Sequence, residues 1–167
     1  NMIDVTEKTA SQNILRLVSC IIFSVLFSGI GFLDDYIKAI KKQNLGLNPK
    51  QKMIFQFILS AAFLAVLYVL GDKSTKIDLI FVQLDLGIFY YPIMILFMIY
   101  VSNAVNLTDG VDGLCASLSC VVIFAFSIIF HDALGSFTVA NYLFVAALLA
   151  YLYFNTSPSS MLMGDAG

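Results

Sequence analysis

The sequence predicts an all-α, polytopic integral membrane protein, a single transmembrane domain with about five transmembrane helices. Three observations carry this. Hydrophobic residues make up 60% of the 167 residues and charged residues 12%, with a mean hydropathy of +0.91; soluble globular chains run about 45–50% apolar. Five uncharged runs, at 17–33, 53–71, 86–108, 113–130 and 133–164, each reach the about 17–25 residues that cross a hydrocarbon core. The basic residues are also asymmetric, five of the nine lying between Lys38 and Lys52. A net charge of −2 gives no reason to expect a nucleic-acid partner. The expected solvent is a lipid bilayer.

Taken in order, residues 1–13 are polar and of mixed charge, and read as a short extramembrane lead-in. The first span is expected over 14–33, with Arg16 able to snorkel from its outer end. It lacks the basic start and small-residue cleavage site of a signal peptide. The connector 34–52 is basic and therefore cytoplasmic by the positive-inside rule. The second span covers 53–70. Residues 79–87 are apolar but too short to cross, and read as a small hairpin or interfacial segment on the outer side. Spans three, four and five follow at 88–105, 114–130 and 137–154, with Tyr90, Tyr91 and Pro92 placed for an aromatic belt. Counting crossings puts 34–52, 106–113 and 155–167 on the cytoplasmic face. Cys20, Cys115 and Cys120 lie in apolar segments without a CxxC pattern, so packing is their expected role.

All the residues that look chemical then fall on that one face. The densest stretch is Tyr100–Leu114, Y-V-S-N-A-V-N-L-T-D-G-V-D-G-L, where Asn103, Asn106, Asp109 and Asp112 recur every third residue. That step keeps side chains on one side of a helix. Carboxylates and amides at the end of an apolar segment are costly unless they bind something, here a metal ion, a phosphate or a sugar. An N-cap role would explain one aspartate but hardly both. The second cluster is Asp34-Asp35 with Lys38, where Asp34 and Lys38 have the spacing of a helical ion pair. The third is Asn155 to Asp165. Magnesium takes one or two carboxylates, keeps waters and adds phosphate oxygens. Asp165 is therefore a candidate Mg2+ ligand, and Lys38, Lys50 and Lys52 can neutralise a diphosphate. Carboxylates and lysines without a Cys/His set favour phosphoryl-type chemistry over zinc hydrolysis. His131 falls on the opposite face and is expected to be interfacial.

F-L-D-D-Y-I-K, N-A-V-N-L-T-D-G-V-D-G-L and M-G-D-A-G, in this order, resemble the polyprenyl-phosphate N-acetylhexosamine-1-phosphate transferase superfamily, over essentially the whole chain. They look most like its phospho-N-acetylmuramoyl-pentapeptide transferase branch. The resemblance implies a Mg2+-dependent transfer of phospho-MurNAc-pentapeptide from UDP-MurNAc-pentapeptide to undecaprenyl phosphate, giving lipid I and UMP for peptidoglycan synthesis. It implies a multi-pass protein of the bacterial plasma membrane with a cytoplasmic active site, and a homodimer is a further expectation. Carried over by motif, Asp34, Asp35 and Asp165 are catalytic. Asp34 and Asp35 engage or deprotonate the lipid phosphate, and Asp165 binds magnesium with help from Asn106. Lys38 and Lys50 hold phosphates. Asn106, Asp109 and Asp112 line the nucleotide-sugar site, with Asn155 beside it.

Two departures from the family pattern stand out. About ten spans, an upstream Gly-Thr-Pro-type motif and a downstream His-rich loop are usual there and absent here, so the chain is expected to be a fragment that needs flanking helices for activity. Leu162 stands where that branch often has a phenylalanine thought to stack on uracil. The nearest enzyme alternative is a UDP-GlcNAc:undecaprenyl-phosphate GlcNAc-1-phosphate transferase that starts teichoic-acid or O-antigen synthesis. A different class is a membrane cation transporter, whose path needs polar residues near the midplane rather than at helix ends. A non-catalytic scaffold gives no reason for three acidic motifs to converge.

Overall fold

The structure, a computed structural model, describes residues 2–41, 46–79, 82–135 and 137–164. Its helices are α1 (Met2–Lys41), α2 (Pro49–Val69), α3 (Tyr90–Thr108), α4 (Leu114–Ile129), α5 (His131–Leu134) and α6 (Phe137–Asn155). Between α2 and α3 lies a hairpin of β1 (Lys76–Leu79) and β2 (Val82–Asp85), followed by a 3-10 turn at Gly87–Phe89. The protein is thus an all-α, membrane-type chain carrying one small two-stranded ribbon. Among the described residues, four stretches are long and apolar enough to cross a membrane: Ser11–Lys41, Pro49–Val69, Gly87–Thr108 and Phe137–Asn155. Their outward faces are rows of exposed Ile, Leu, Val and Phe, as expected where lipid is the solvent and backbone polarity is satisfied inside each helix.

The chain divides into two units, one through Ser102 and the other from Asn103 to Gly164. In the first, α1 and α2 lie side by side in opposite directions. Arg16 Nη2 near the start of α1 pairs with Asp72 beyond the end of α2 at 2.7 Å. Phe23 and Phe63 rings meet at 5.0 Å, and Gln56, buried in α2, donates to Ser102 Oγ of α3 at 3.5 Å. At the other end of α3, Tyr68 and Tyr91 make an edge contact at 6.2 Å. Such sparse polar links are the usual glue between helices that gain nothing from burying one apolar surface against another in lipid.

Helix α1 differs from the sequence expectation. It is continuous over the polar lead-in, the apolar run and the Asp34-Asp35 pair; the stretch contains no proline, the residue that most strongly breaks a helix. Helix α2 starts where it does because Asn48 caps it. The Asn48 carboxamide oxygen accepts from Lys50 N–H at 3.3 Å, and Gln51 Oε1 accepts from Asn48 N–H at 3.2 Å. Pro49 supplies the first-turn geometry.

In the second unit α4 and α6 pack along each other around Cys120, Val145 and Leu148, with Ile123 and Met163 against them. Helix α4 has 16 residues, about 24 Å at 1.5 Å per residue, short of the about 30 Å hydrocarbon core. Its pairing with α6, and the bond from Gly113 before α4 to Asn155 ending α6, make the two an antiparallel pair. The three cysteines are free thiols, with Cys115 and Cys120 buried.

The hairpin is closed at its base by Asp85. Its carboxylate accepts from Thr75 Oγ at 2.7 Å and from Gly87 N–H at 3.1 Å, and these hydrogen bonds hold its pKa below the ordinary carboxylate value. A lowered folded-state pKa means support present above the unfolded value, about 3.9, and lost as pH falls through the folded one. A carbon-detected NMR titration is expected to place the Asp85 midpoint below that of an unfolded-peptide aspartate. A midpoint at or above it would contradict the bonding.

Candidate functional site

The first polar cluster grows from the end of α1. One turn of helix carries Asp34, Asp35 and Lys38, and the segment that follows the connector folds back onto it. Asp34 is 4% exposed. Its Oδ2 lies 2.6 Å from Lys38 Nζ, and its Oδ1 accepts a short hydrogen bond from Leu47 N–H. Asp35, half-buried, pairs with the same ammonium at 3.3 Å. Lys38 therefore sits between both carboxylates, which is how two adjacent acids are held at the end of an apolar helix without mutual repulsion dominating.

The fold-back depends on Gly46. A Cβ there would stand 2.7 Å from Asp34 Cγ and 2.9 Å from the Asp34 carbonyl oxygen, closer than a side chain permits. Two residues on, Asn48 caps α2 and places Lys50 and Lys52 in its first turn, Lys50 exposed. Neither Gly46 nor Asn48 was among the residues the sequence reading singled out. The Asn-Pro-x-Gln signature of a capping box could have found the second; only the folded chain brings Gly46 to Asp34.

The second cluster lies in the other unit. The three-residue step holds on α3 for Asn103 and Asn106, both half-buried, but the helix ends at Thr108, and Asp109 and Asp112 stand in the turn that follows. Gly113, with φ +75°, begins α4 in the left-handed region that favours glycine. Neither aspartate caps α4: the cap position is Gly113, which has no side chain to accept from the first amides of the helix. Across the turn, the Cys115 thiol donates to the Val105 carbonyl at 3.7 Å.

Asn155 ties this turn to the segment after α6. It is 2% exposed. Its Oδ1 accepts from Gly113 N–H at 2.9 Å, and its Nδ2 donates to the Met161 carbonyl at 2.8 Å and reaches Ser159 Oγ at 3.4 Å. Asp112 Oδ2 accepts from Ser159 N–H at 3.3 Å. The two polar loops at this end of α4 and α6 are therefore laced together. Met163 packs into the α4–α6 core, whereas Leu162 is 75% exposed. Asp165 lies outside the described residues. His131 is exposed at the opposite end of α4 from Asp112.

Among the described residues no three Asp, Glu, His or Cys side chains converge as a ready metal cluster. Magnesium does not need one: one or two hard carboxylate oxygens suffice, with water and phosphate oxygens completing the octahedron. Asp109 and Asp112, four-atom side chains on a turn with Asn106 one helical turn before Asp109, have that chemistry. The donor set fits magnesium as well as it fits the hydroxyls of a sugar.

Two outcomes are expected from this geometry. Gly46→Ala forces the connector off Asp34 and destabilises the protein by about 1–3 kcal/mol, the usual cost of overpacking, read as a lower thermal midpoint in detergent; an unchanged midpoint would show that the contact is dispensable. Asn155→Ala leaves the Gly113 N–H without its acceptor, about 1–3 kcal/mol for a group that has lost its hydrogen bond, while the Met161 carbonyl keeps the Ser159 hydroxyl at 2.9 Å. Asn155→Asp retains the acceptor for Gly113 and is expected to be the milder of the two in the same melt.

The sequence pattern of glycosyl transferase family 4 matches residues 17–167. The chain is similar to the phospho-N-acetylmuramoyl-pentapeptide-transferase of Listeria monocytogenes, 39% identical over 145 residues, which is 85% of this chain and 44% of that protein. It is similar to the enzymes of that name from Halalkalibacterium halodurans (39% over 160 residues, 94% of this chain, 48% of the relative) and Clostridium botulinum (36% over 170 residues, 99% and 50%). The chain spans about half the length of these curated relatives.

Proposed function

The chain belongs to glycosyl transferase family 4, and from that premise we propose that the gene product containing it is a phospho-N-acetylmuramoyl-pentapeptide transferase. The proposed reaction moves phospho-MurNAc-pentapeptide from UDP-MurNAc-pentapeptide to undecaprenyl phosphate, giving lipid I and UMP on the cytoplasmic face of a bacterial plasma membrane. The observation that supports it best is the laced pair of loops around Asn155. They hold two carboxylates and an amide, Asp109, Asp112 and Asn106, at one end of a helix pair in an otherwise apolar chain.

In this reading the two units divide the work. At the end of α1, Asp35 is the more accessible carboxylate and takes the lipid phosphate's proton or faces its oxygen. Asp34, already bonded to Leu47 N–H and Lys38, fixes the geometry around it. Lys38 and Lys50 offset phosphate charge, Lys50 from the exposed first turn of α2. In the second unit Asn106, Asp109 and Asp112 receive the nucleotide sugar, and Asn155 holds their turn in place from beneath. Asp165 and Asn106 are the proposed magnesium ligands. Held by these residues, magnesium would supply positive charge to offset the diphosphate. Attack by a phosphate oxygen on the donor's MurNAc-linked phosphorus forms one P–O bond and breaks the one to UMP. Two such gene products are proposed to pair as a homodimer.

The test uses the complete gene product in detergent with magnesium, labelled UDP-MurNAc-pentapeptide and undecaprenyl phosphate, following lipid-linked product and UMP. Wild type is expected to turn over, and Asp165→Ala to lose activity by at least about 100-fold, the scale for removing one transition-state electrostatic partner. Turnover with UDP-GlcNAc but not with the peptide donor would move the protein to the sister branch, where the exposed Leu162 in place of an aromatic would then find its reason. Silence with both donors in folded protein would remove the transferase reading.

A further inference from the structure

We infer that the β1–β2 hairpin and the 3-10 turn after it form an interfacial anchor that lies on the bilayer surface at the Val69 end of α2 and the Tyr90 end of α3. The hairpin's register pairs Ile77 with Leu84 and Lys76 with Asp85. Alternation along a strand then puts Val82 and Leu84, with Ile77, on one face and Gln83, Lys76 and Asp85 on the other. Val82 is 58% exposed and Leu84 47%, and in the turn that follows Ile88 is 80% and Phe89 69% exposed. An isolated two-stranded ribbon is at best marginally stable in water, and on the apolar side of this one Val82 and Leu84 are exposed and Ile77 is partly so.

What covers it follows from where the chain must run. Two stretches able to cross a membrane, Pro49–Val69 and Gly87–Thr108, flank the hairpin. Only five residue steps separate Asp85 from Tyr90, so the ribbon's base can stand at most about 17 Å from the start of α3. The base is closed on the helix side: Leu86 N–H donates to the Thr75 carbonyl at 3.1 Å and Gly87 N–H to Asp85 Oδ1 at 3.1 Å. Markers of the membrane–water boundary sit at this level. Tyr68 meets Tyr91, Tyr90 meets Tyr91 at 5.6 Å, and Lys73 Nζ lies 5.1 Å from the Tyr68 ring centre. Tyrosines and snorkelling lysines are the side chains enriched there. A one-sided apolar ribbon tethered at that depth buries its face in the headgroup–acyl boundary, as amphipathic interfacial segments do. The surface is distinct from both polar clusters.

The test places single spin-labelled cysteines at Val82, Gln83, Leu84 and Ile88 of the complete gene product, with native cysteines replaced, in vesicles of phosphatidylethanolamine and phosphatidylglycerol. The labels at 82, 84 and 88 are expected to collide several-fold more with oxygen, which concentrates in lipid, than with a water-soluble nickel chelate. The label at 83 is expected to show the reverse. Nickel-dominated collisions at all four positions would put the ribbon in water and overturn the proposal. Shielding from both reagents at 82 and 84 would overturn it too, by showing a protein cover such as a second copy. Where a labelled cysteine prevents folding, Val82→Trp or Leu84→Trp carries the same test, with any tryptophan elsewhere in the gene product replaced by phenylalanine; residues 1–167 contain none. Quenching by lipids brominated near the headgroup supports the anchor, and its absence rejects it.

Discussion

A carboxylate buried at the end of an apolar helix has to be neutralised by the protein itself, and the first unit is shaped by how Asp34, 4% exposed, meets that demand. One oxygen takes the Lys38 ammonium and the other takes the Leu47 amide. The second bond is possible only because the backbone at Gly46 comes closer than any side chain would allow. From there the rest follows: the connector returns to the end of α1, Asn48 is delivered to cap α2, and α2 runs back along α1 until Asp72 reaches Arg16. Breaking a paired, buried charge by removing one partner is far more disruptive than never having it. The charge at Asp34 is therefore bound up with the path of the chain as well as with any chemistry beside it.

The second unit solves a related problem with neutral groups. Where α3 stops and α4 begins, and where α6 stops, backbone groups lose their helical partners. Asn155 supplies an acceptor to the Gly113 amide at the start of α4 and a donor to the Met161 carbonyl in the segment after α6. A carboxamide is the side chain that can do both at once without carrying charge into an apolar region. The result is a rigid floor beneath a turn whose polar side chains, Asp109 and Asp112, are left partly or fully exposed. That combination of a fixed base and presented carboxylates is what a nucleotide-sugar or metal site requires.

Much of this was legible in the sequence. Long uncharged runs announced the helices, because lipid tolerates few charges and each run has to be long. The residues of the two described polar clusters were legible for the same reason, since polar groups are conspicuous in such a chain. What could not be read were contacts between distant segments. Gly46 looks like an ordinary loop glycine until Asp34 is beside it. The sequence places Asn155 beside the nucleotide-sugar site, but its hydrogen bonds to Gly113 and Met161 are visible only in the fold. The three-residue step from Asn103 to Asp112 suggested one helical face, but the helix gives out at Thr108 and the acids belong to a turn. The hairpin was only half visible, since L-I-F-V-Q-L-D-L-G breaks its alternation at the tip.

The proposed function requires residues 34–52 and 106–113 to lie on one side of the membrane, as counting crossings in the sequence predicts. Single cysteines at Lys50, Lys76 and Asp112 of the complete gene product, labelled with a membrane-impermeant maleimide in intact spheroplasts and in inverted vesicles, test it most directly. Positions 50 and 112 are expected to react only in inverted vesicles and position 76 only in spheroplasts. Reaction of 50 and 112 from opposite sides would contradict a shared catalytic face.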